Sequence, residues 1–342
     1  MAAGAGESGP EPETAALVRR RVTDVLACGY PAEGLQIVAV GDGVFAGASS
    51  LQAEFAGEGV PVLVLTLSGR YGKTAAQNLA VRHASGEVLV FTDADTRFLP
   101  GALEAVVRPL LRPEVGCVSG RLTYEGTSME GFYWRYEMAL KQAEARLHSL
   151  IGANGALYAL RRADYAELPE WALSDLVEPL YQLFEGRATV LAPDAVAVEA
   201  AALEPGEAFR RKRRITLRAL GSLRLVMPAF DVIRRPMTAS LFVAHKLLRW
   251  FSWVPALGLA VSSAALASQP LYGWAAAVQV AFYGYGAGSR FELPGATLPA
   301  YVVEVLAAQL AAGADWLAGR RQVTWPPSAS VTPGRRHQSW RL

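Results

Sequence analysis

Short apolar runs separated by helical stretches constrain this chain more than any other feature. Leu35-Gln-Ile-Val-Ala-Val40, Pro61-Val-Leu-Val-Leu65, residues 87–92 and Val115-Gly-Cys-Val118 read as strands, and Ala188-Thr-Val-Leu-Ala192 as a last one. Between them, residues 74–83 and 102–111 read as helices. Residues 14–26 form an amphipathic helix with Ala16, Leu17, Val22, Val25 and Leu26 at helical spacing and Arg19, Arg20 and Arg21 at the other positions. Such alternation predicts an α/β fold with a mostly parallel sheet covered on both faces. Residues 130–147 read as a further long amphipathic helix.

The third strand runs into a polar cluster, Val88-Leu-Val-Phe-Thr-Asp-Ala-Asp-Thr-Arg97. Ligands bind at the carboxyl edge of open α/β sheets, and two carboxylates there need a cation or donor to offset their repulsion. Asp93 and Asp95 suit a hard divalent ion shared with diphosphate oxygens. Equally, Asp and Thr ahead of Pro100-Gly-Ala-Leu-Glu104 suit a solvated turn that caps the next helix. Gly41-Asp-Gly43 fails the spacing of a dinucleotide fingerprint, so Asp42 is either a nucleoside contact or an ordinary Asp-Gly turn. Gly72-Lys73-Thr74 lacks the first glycine of a P-loop, which leaves Lys73 as a solvated helix entry or a base or phosphate contact.

With 52% hydrophobic residues and a mean hydropathy of +0.20, the chain is more apolar than most soluble enzymes, and membrane contact is expected. Residues 251–267 and 271–288 carry no charge, and 298–317 is interrupted by Glu304 and Asp315. Each approaches the roughly 20 residues that cross a bilayer. The first two read as spans and the last as a third; a buried helical subdomain is the alternative. His245, Lys246 and Arg249, set among Leu, Phe and Trp, mark residues 241–250 as interfacial. Three spans from a cytosolic domain would place Arg320, Arg321, Arg335, Arg336 and Arg341 outside, against the positive-inside tendency. A net charge of +2 implies no nucleic-acid partner. Cys28 and Cys117 read as reduced, buried thiols, and the first twenty residues contain no signal-peptide core.

Taken together, Gly-Asp-Gly at 41–43, Gly-Lys-Thr-Ala-Ala-Gln-Asn at 72–78, Phe-Thr-Asp-Ala-Asp-Thr at 91–96, Tyr-Trp-Arg-Tyr-Glu at 133–137, Gly-Ala-Asn-Gly-Ala-Leu-Tyr at 152–158 and Gly-Arg-Arg-Gln-Val-Thr-Trp at 319–325 carry a resemblance. Over residues 30–326 the chain resembles the family 2 glycosyltransferases, in particular the membrane-bound bacterial branch related to cellulose and hyaluronan synthases. The resemblance implies a GT-A nucleotide-diphospho-sugar transferase fold followed by C-terminal transmembrane helices. Its divisions are a disordered tail (1–13), a glycosyltransferase domain (14–229), an interfacial segment (230–250), transmembrane helices (251–318) and a basic tail (319–342).

The activity implied is inverting transfer of a hexose from a nucleotide-diphosphate sugar, a UDP-sugar above all, to a saccharide or lipid-linked acceptor in cell-surface or exopolysaccharide synthesis. The location implied is the bacterial inner membrane, with a cytoplasmic catalytic domain. By resemblance Asp42 holds the nucleoside with Lys73 close to it, and Asp93 and Asp95 bind the sugar nucleotide, Asp95 through Mg2+ or Mn2+. Asp175, in Leu173-Ser-Asp-Leu-Val-Glu-Pro-Leu180, falls at the catalytic base, although Ser174 stands where another acid is usual. Arg211 and Arg214 would neutralise the departing diphosphate, but Arg211 and Ile215 replace the Gln and Trp of the polymerising relatives, against processive synthesis. A juxtamembrane basic patch is the other reading of this run.

The family's apolar first strand does not precede Leu35. Its loss would open a gap in the sheet, and three outcomes remain: a true start upstream, another segment in the gap, or a degenerate, catalytically weak scaffold of a glycan assembly complex.

Overall fold

The computed structural model describes residues 2–3, 11–45, 47–57, 59–125, 129–199, 207–288 and 297–324. They form two compact units. The first comprises residues 1–125, 152–203 and 323–342, and the second residues 126–151 and 204–322.

In the first unit, strands β1 (Ala2–Ala3), β2 (Ile37–Gly41) and β3 (Val62–Thr66) pair in parallel in that order. Helices α1 (Glu11–Leu26), α2 (Ala48–Gly57) and α3 (Gly72–His83) belong to this part of the chain. β2 is buried along its whole length, which explains its unbroken Ile-Val-Ala-Val run. Ala76 and Ala80 of α3 are small enough to seat that helix against Val38 and Val40, with Leu63 and Leu65 beside them.

A second sheet contains β4 (Val88–Thr92), β5 (Arg97–Phe98), β6 (Val115–Tyr124), β7 (Leu157–Arg161) and β8 (Ala188–Glu199), in the order β4-β7-β6-β8-β5. Only β6 and β8 pair in parallel; β4 with β7, β7 with β6 and β5 with β8 are antiparallel. The mostly parallel sheet read from the sequence is therefore corrected to a mixed one. Leu157–Arg161 form β7, which slots antiparallel between β4 and β6. Phe91 and Tyr158 face each other across this pairing with stacked rings 4.8 Å apart, over Leu89, Cys117 and Leu160. Each side chain so buried contributes roughly 1.5–3 kcal/mol. Helices α4 (Ala102–Val107) and α6 (Ser174–Phe184) complete the unit.

β2 and β4 belong to different sheets. The family's absent strand was expected to leave a gap, and among the described residues β1, two residues long, is the only strand beside β2 besides β3. Of the stretch 1–13 read as a tail, Ala2–Ala3 form this strand and α1 begins at Glu11; the remainder lies outside the described residues. Cys28 and Cys117 are free and buried, as expected.

The second unit is helical among its described residues: α5 (Met129–Leu147), α7 (Glu207–Ser222), α8 (Pro236–Phe242), a π-turn (Val243–Leu247), α9 (Leu248–Trp250), α10 (Trp253–Ala265), α11 (Pro270–Ala287) and α12 (Thr297–Leu317). Glu137 of α5 meets His245 (3.0 Å to Nε2) and Arg249, while Glu144 lies 2.5 Å from His245 Nδ1. Both nitrogens of the buried His245 ring thus face carboxylate oxygens of α5. Burial pushes the Glu137 carboxyl up, but His245, Arg249 and Lys246 together hold it far below the usual carboxylate range.

Among the described residues, one helix, Thr297–Leu317, is long and apolar enough to cross a membrane. The expectation of several such spans is narrowed accordingly: α10 has 13 residues, and α11, with 18, is interrupted by Gly, Tyr and Gln.

Candidate active site

Four pieces of chain bring the site residues together: the ends of β2 and β4, the start of α3, and the loop 152–156 beside the start of α6. Asp42 follows the last residue of β2 and is buried; its Oδ1 accepts the N–H groups of Tyr71 (2.6 Å) and Gly72 (2.8 Å). One carboxylate oxygen thereby holds the entrance of α3, where free N–H groups otherwise lack partners. Gly72 has φ +86°, and a Cβ there would collide with the backbone carbonyl of Val323, so two independent constraints require glycine.

The turn into α3 delivers Lys73. Its Nζ lies 2.5 Å from Asp93 Oδ1 and donates to the Gly155 carbonyl at 2.9 Å. Asp93 directly follows β4. Ala94 beyond it is buried, while Asp95 is exposed. Asp175, in the first turn of α6, approaches the same point: a Cβ on Gly155 would stand 2.9 Å from Asp175 Oδ2 and 3.3 Å from Lys73 Nζ. The missing side chain of Gly155 is what allows a carboxylate, an ammonium and a carbonyl to converge. The backbone supports this, since the Asp175 carbonyl accepts the N–H of Ala153 at 2.7 Å.

Asp42, Lys73, Asp93, Asp95 and Asp175 thus belong to one region of the first unit. Arg211 and Arg214 lie on α7 of the second unit, both half-buried. Among the described residues, no three His, Cys, Asp or Glu side chains form a metal cage. Asp95, exposed on the turn after Asp93, still fits an ion of the Mg2+ or Mn2+ kind, because such ions take one or two carboxylates and complete their shell with substrate phosphates and water.

Two residues of this region were not singled out from the sequence. Arg21, assigned with Arg19 and Arg20 to the polar positions of α1, is instead buried at 1% exposure. Its Nη2 donates to Thr92 Oγ1 (2.9 Å), the guanidinium covers the Phe98 ring at 3.9 Å, and Nε and Nη1 have no hydrogen-bond partner among the described residues. Burial pulls its pKa down to about 10, against the pull of Asp24, Asp93 and Asp95. The signal was available: Arg21 lies three residues after Val18 and four before Val25, both buried, and so falls on the apolar stripe. Glu178, one turn after Asp175, is fully buried, and burial pushes its carboxyl up to about 8.

Residues 13–167 match the family model Glycosyl transferase family 2. No curated protein matches the sequence. Among solved structures, a mannosyltransferase, PcManGT from Pyrobaculum calidifontis in complex with GDP-Man and Mn2+, aligns over 89% of this chain and 84% of its own, at 22% identity and a TM-score of 0.56. GalNAc-T7 with UDP, GalNAc and Mn2+ aligns over 67% of this chain and 52% of its own (15% identity, TM-score 0.48), and S. aureus TarS over 71% and 46% (14% identity, TM-score 0.43). The fold is that of the GT-A glycosyltransferases, α/β with a mixed sheet.

Proposed function

We propose that this chain is an inverting hexosyltransferase of the membrane-bound branch, transferring from a nucleotide-diphosphate sugar, with a UDP-sugar the favoured donor, to a saccharide or lipid-linked acceptor in cell-surface polysaccharide synthesis. The observation that carries this reading is the convergence of Asp175, Lys73 and Asp93 around Gly155. Asp175 accepts the proton of an acceptor hydroxyl as that oxygen bonds to the anomeric carbon; the bond from that carbon to the diphosphate breaks on the opposite face, inverting the centre. Asp42 and Lys73 contact the nucleoside side of the donor, and Asp93 and Asp95 its diphosphate. A Mg2+ or Mn2+ ion held by Asp95 would supply positive charge to the leaving diphosphate. Arg211 and Arg214 assist the same departure. The bound nucleotide sugar and Mn2+ of the P. calidifontis mannosyltransferase support this class of ligand.

The protein works at the bacterial inner membrane with its first unit in the cytoplasm. Support comes from the uncharged stretch 251–288.

Calorimetry of UDP with Mn2+ on the detergent-purified chain, beside Asp95→Ala, tests the donor site; binding that requires both the metal and Asp95 is expected. For the chemistry, Asp175→Asn is expected to abolish transfer while leaving UDP affinity within about threefold. Ser174 and Ile215, at positions where an acid and Trp are expected, favour a second reading as an inactive scaffold. On that reading Asp175→Asn leaves glycan output in cells unchanged while deletion of the gene abolishes it.

A further inference from the structure

We infer that the bilayer is entered and left by the α10–α11 hairpin, that α12 does not cross it, and that the chain following α12 lies on the same side as the catalytic unit. This rests on the membrane reading above and settles how many crossings it permits.

The first observation is the route of the chain. The catalytic unit takes in residues up to 203 and resumes at 323. The return is a packed one, since the Val323 carbonyl occupies the space that a Gly72 side chain would need, next to the N–H that Asp42 binds. A chain that leaves a folded body on one side of a membrane and rejoins that same body makes an even number of crossings. Three spans are excluded by this route, as is a lone crossing by α12.

The second observation is what α12 is tied to. Its two acids serve the basic helix α7: Glu304 Oε1 accepts the Phe209 N–H at 2.8 Å in the first turn of α7, and Asp315 Oδ2 accepts Arg213 Nε at 2.8 Å, with Arg320 on its other oxygen at 2.9 Å. α7 carries Arg210, Arg211, Lys212, Arg213 and Arg214 in succession. A membrane-crossing α12 would either draw this run into hydrocarbon or leave Asp315 there unpaired, and both are costly. By length and apolarity α12 is the best candidate span, but its partners keep it with α7.

The third observation is the character of α10 and α11. No Asp, Glu, Lys or Arg occurs from 251 to 288, and Val261, Leu271, Trp274, Val278 and Val280 are between 61% and 75% exposed. Gln279 Nε2 donates to Ser263 Oγ at 2.9 Å, a side-chain hydrogen bond between the two helices of the kind that joins helices in hydrocarbon. α10 and α11 are about 20 and 27 Å long at 1.5 Å per residue, and the turn between them at 266–269 joins them as a hairpin.

The test uses three exposed positions as single new cysteines in the full chain: Ser49→Cys in the first unit, Ala318→Cys after α12 and Ser268→Cys at the hairpin tip. The native Cys28 and Cys117 are buried and provide the unreactive background. In inside-out vesicles from a bacterial host, a membrane-impermeant maleimide is expected to label positions 49 and 318 and to leave 268 protected until detergent is added. Labelling of 318 only from the face opposite to 49, or labelling of 268 before detergent, overturns the inference while the membrane reading stands. Release of the whole protein by alkaline carbonate overturns both.

Discussion

The ammonium of Lys73, in the first turn of α3, and the carboxylate of Asp93, directly after β4, form an ion pair of 2.5 Å. Both side chains are partly exposed, so the pair is available to a ligand as well as to the fold. Lys73→Met would leave Asp93 unopposed beside Asp95, and two neighbouring carboxylates without a fixed cation gain affinity for a soluble one. Nucleotide affinity in the absence of metal is expected to fall about tenfold or more, with a smaller loss at saturating Mn2+. Titration calorimetry at both metal concentrations checks this; equal losses would show that Lys73 does not act through the charge of Asp93.

Gly155→Ala places a methyl group 2.9 Å from Asp175 Oδ2, closer than carbon and oxygen tolerate. Gly155 does not have a positive φ, so the fold has no backbone reason to object. Displacement of a reacting group by about 1 Å costs on the order of 10²-fold in rate. The expected result is a loss of that size in kcat, with a melting temperature near that of the native chain, read from a transferase assay beside a thermal melt.

Glu178 gives a pH signature. Its pKa rises from 4.5 in the unfolded chain to about 8 in the fold because burial disfavours the charged form. A raised carboxyl contributes its stability fully below the unfolded pKa, and that contribution is lost as pH climbs from about 4.5 through about 8. The whole swing is on the order of 5 kcal/mol as an upper bound. Glu178→Gln removes the titration, so the advantage of the variant over the native chain should grow with pH across this window and level off above it. Thermal melts from pH 5 to 9 measure it.

In the second unit, Glu137→Gln leaves His245, Arg249 and Lys246 without their shared carboxylate in a buried setting. Breaking a buried ion pair from one side costs roughly 3–5 kcal/mol. Loss of a cooperative melt, or a fall in denaturation midpoint of matching size, is the expected outcome. A change below about 1 kcal/mol would show the cluster to be solvated.

The sequence displays the local part of this structure. An apolar run before Asp-Ala-Asp gives the strand and its acidic end, and small residues after Gly72-Lys73 give the buried face of α3. Strand direction is different: β7 pairs with residues some seventy positions earlier in β4, and nothing in Leu-Tyr-Ala-Leu-Arg fixes the sense of that pairing. Arg21 was hidden by its neighbours, because three consecutive arginines read as a solvated face although helical geometry puts the third on the stripe of Val18 and Val25. Gly155 stands within a recognisable motif, but its purpose is visible only once α6 brings Asp175 against it. The acids of α12 interrupt an apolar run in the sequence; their attachment to α7, about a hundred residues earlier, needs the fold.

The contact of Val323 with Gly72 has a consequence in time. A ribosome makes the Asp42 and Lys73 region early, but the piece of chain that lies against Gly72 emerges only after residues 207–322 have been made. The catalytic unit therefore stays unfinished for most of its own synthesis. Whatever ligand the Asp42 and Lys73 region takes, it meets a finished first unit only after the helical segment has been made, so birth order alone sets the helical unit ahead of the completed site.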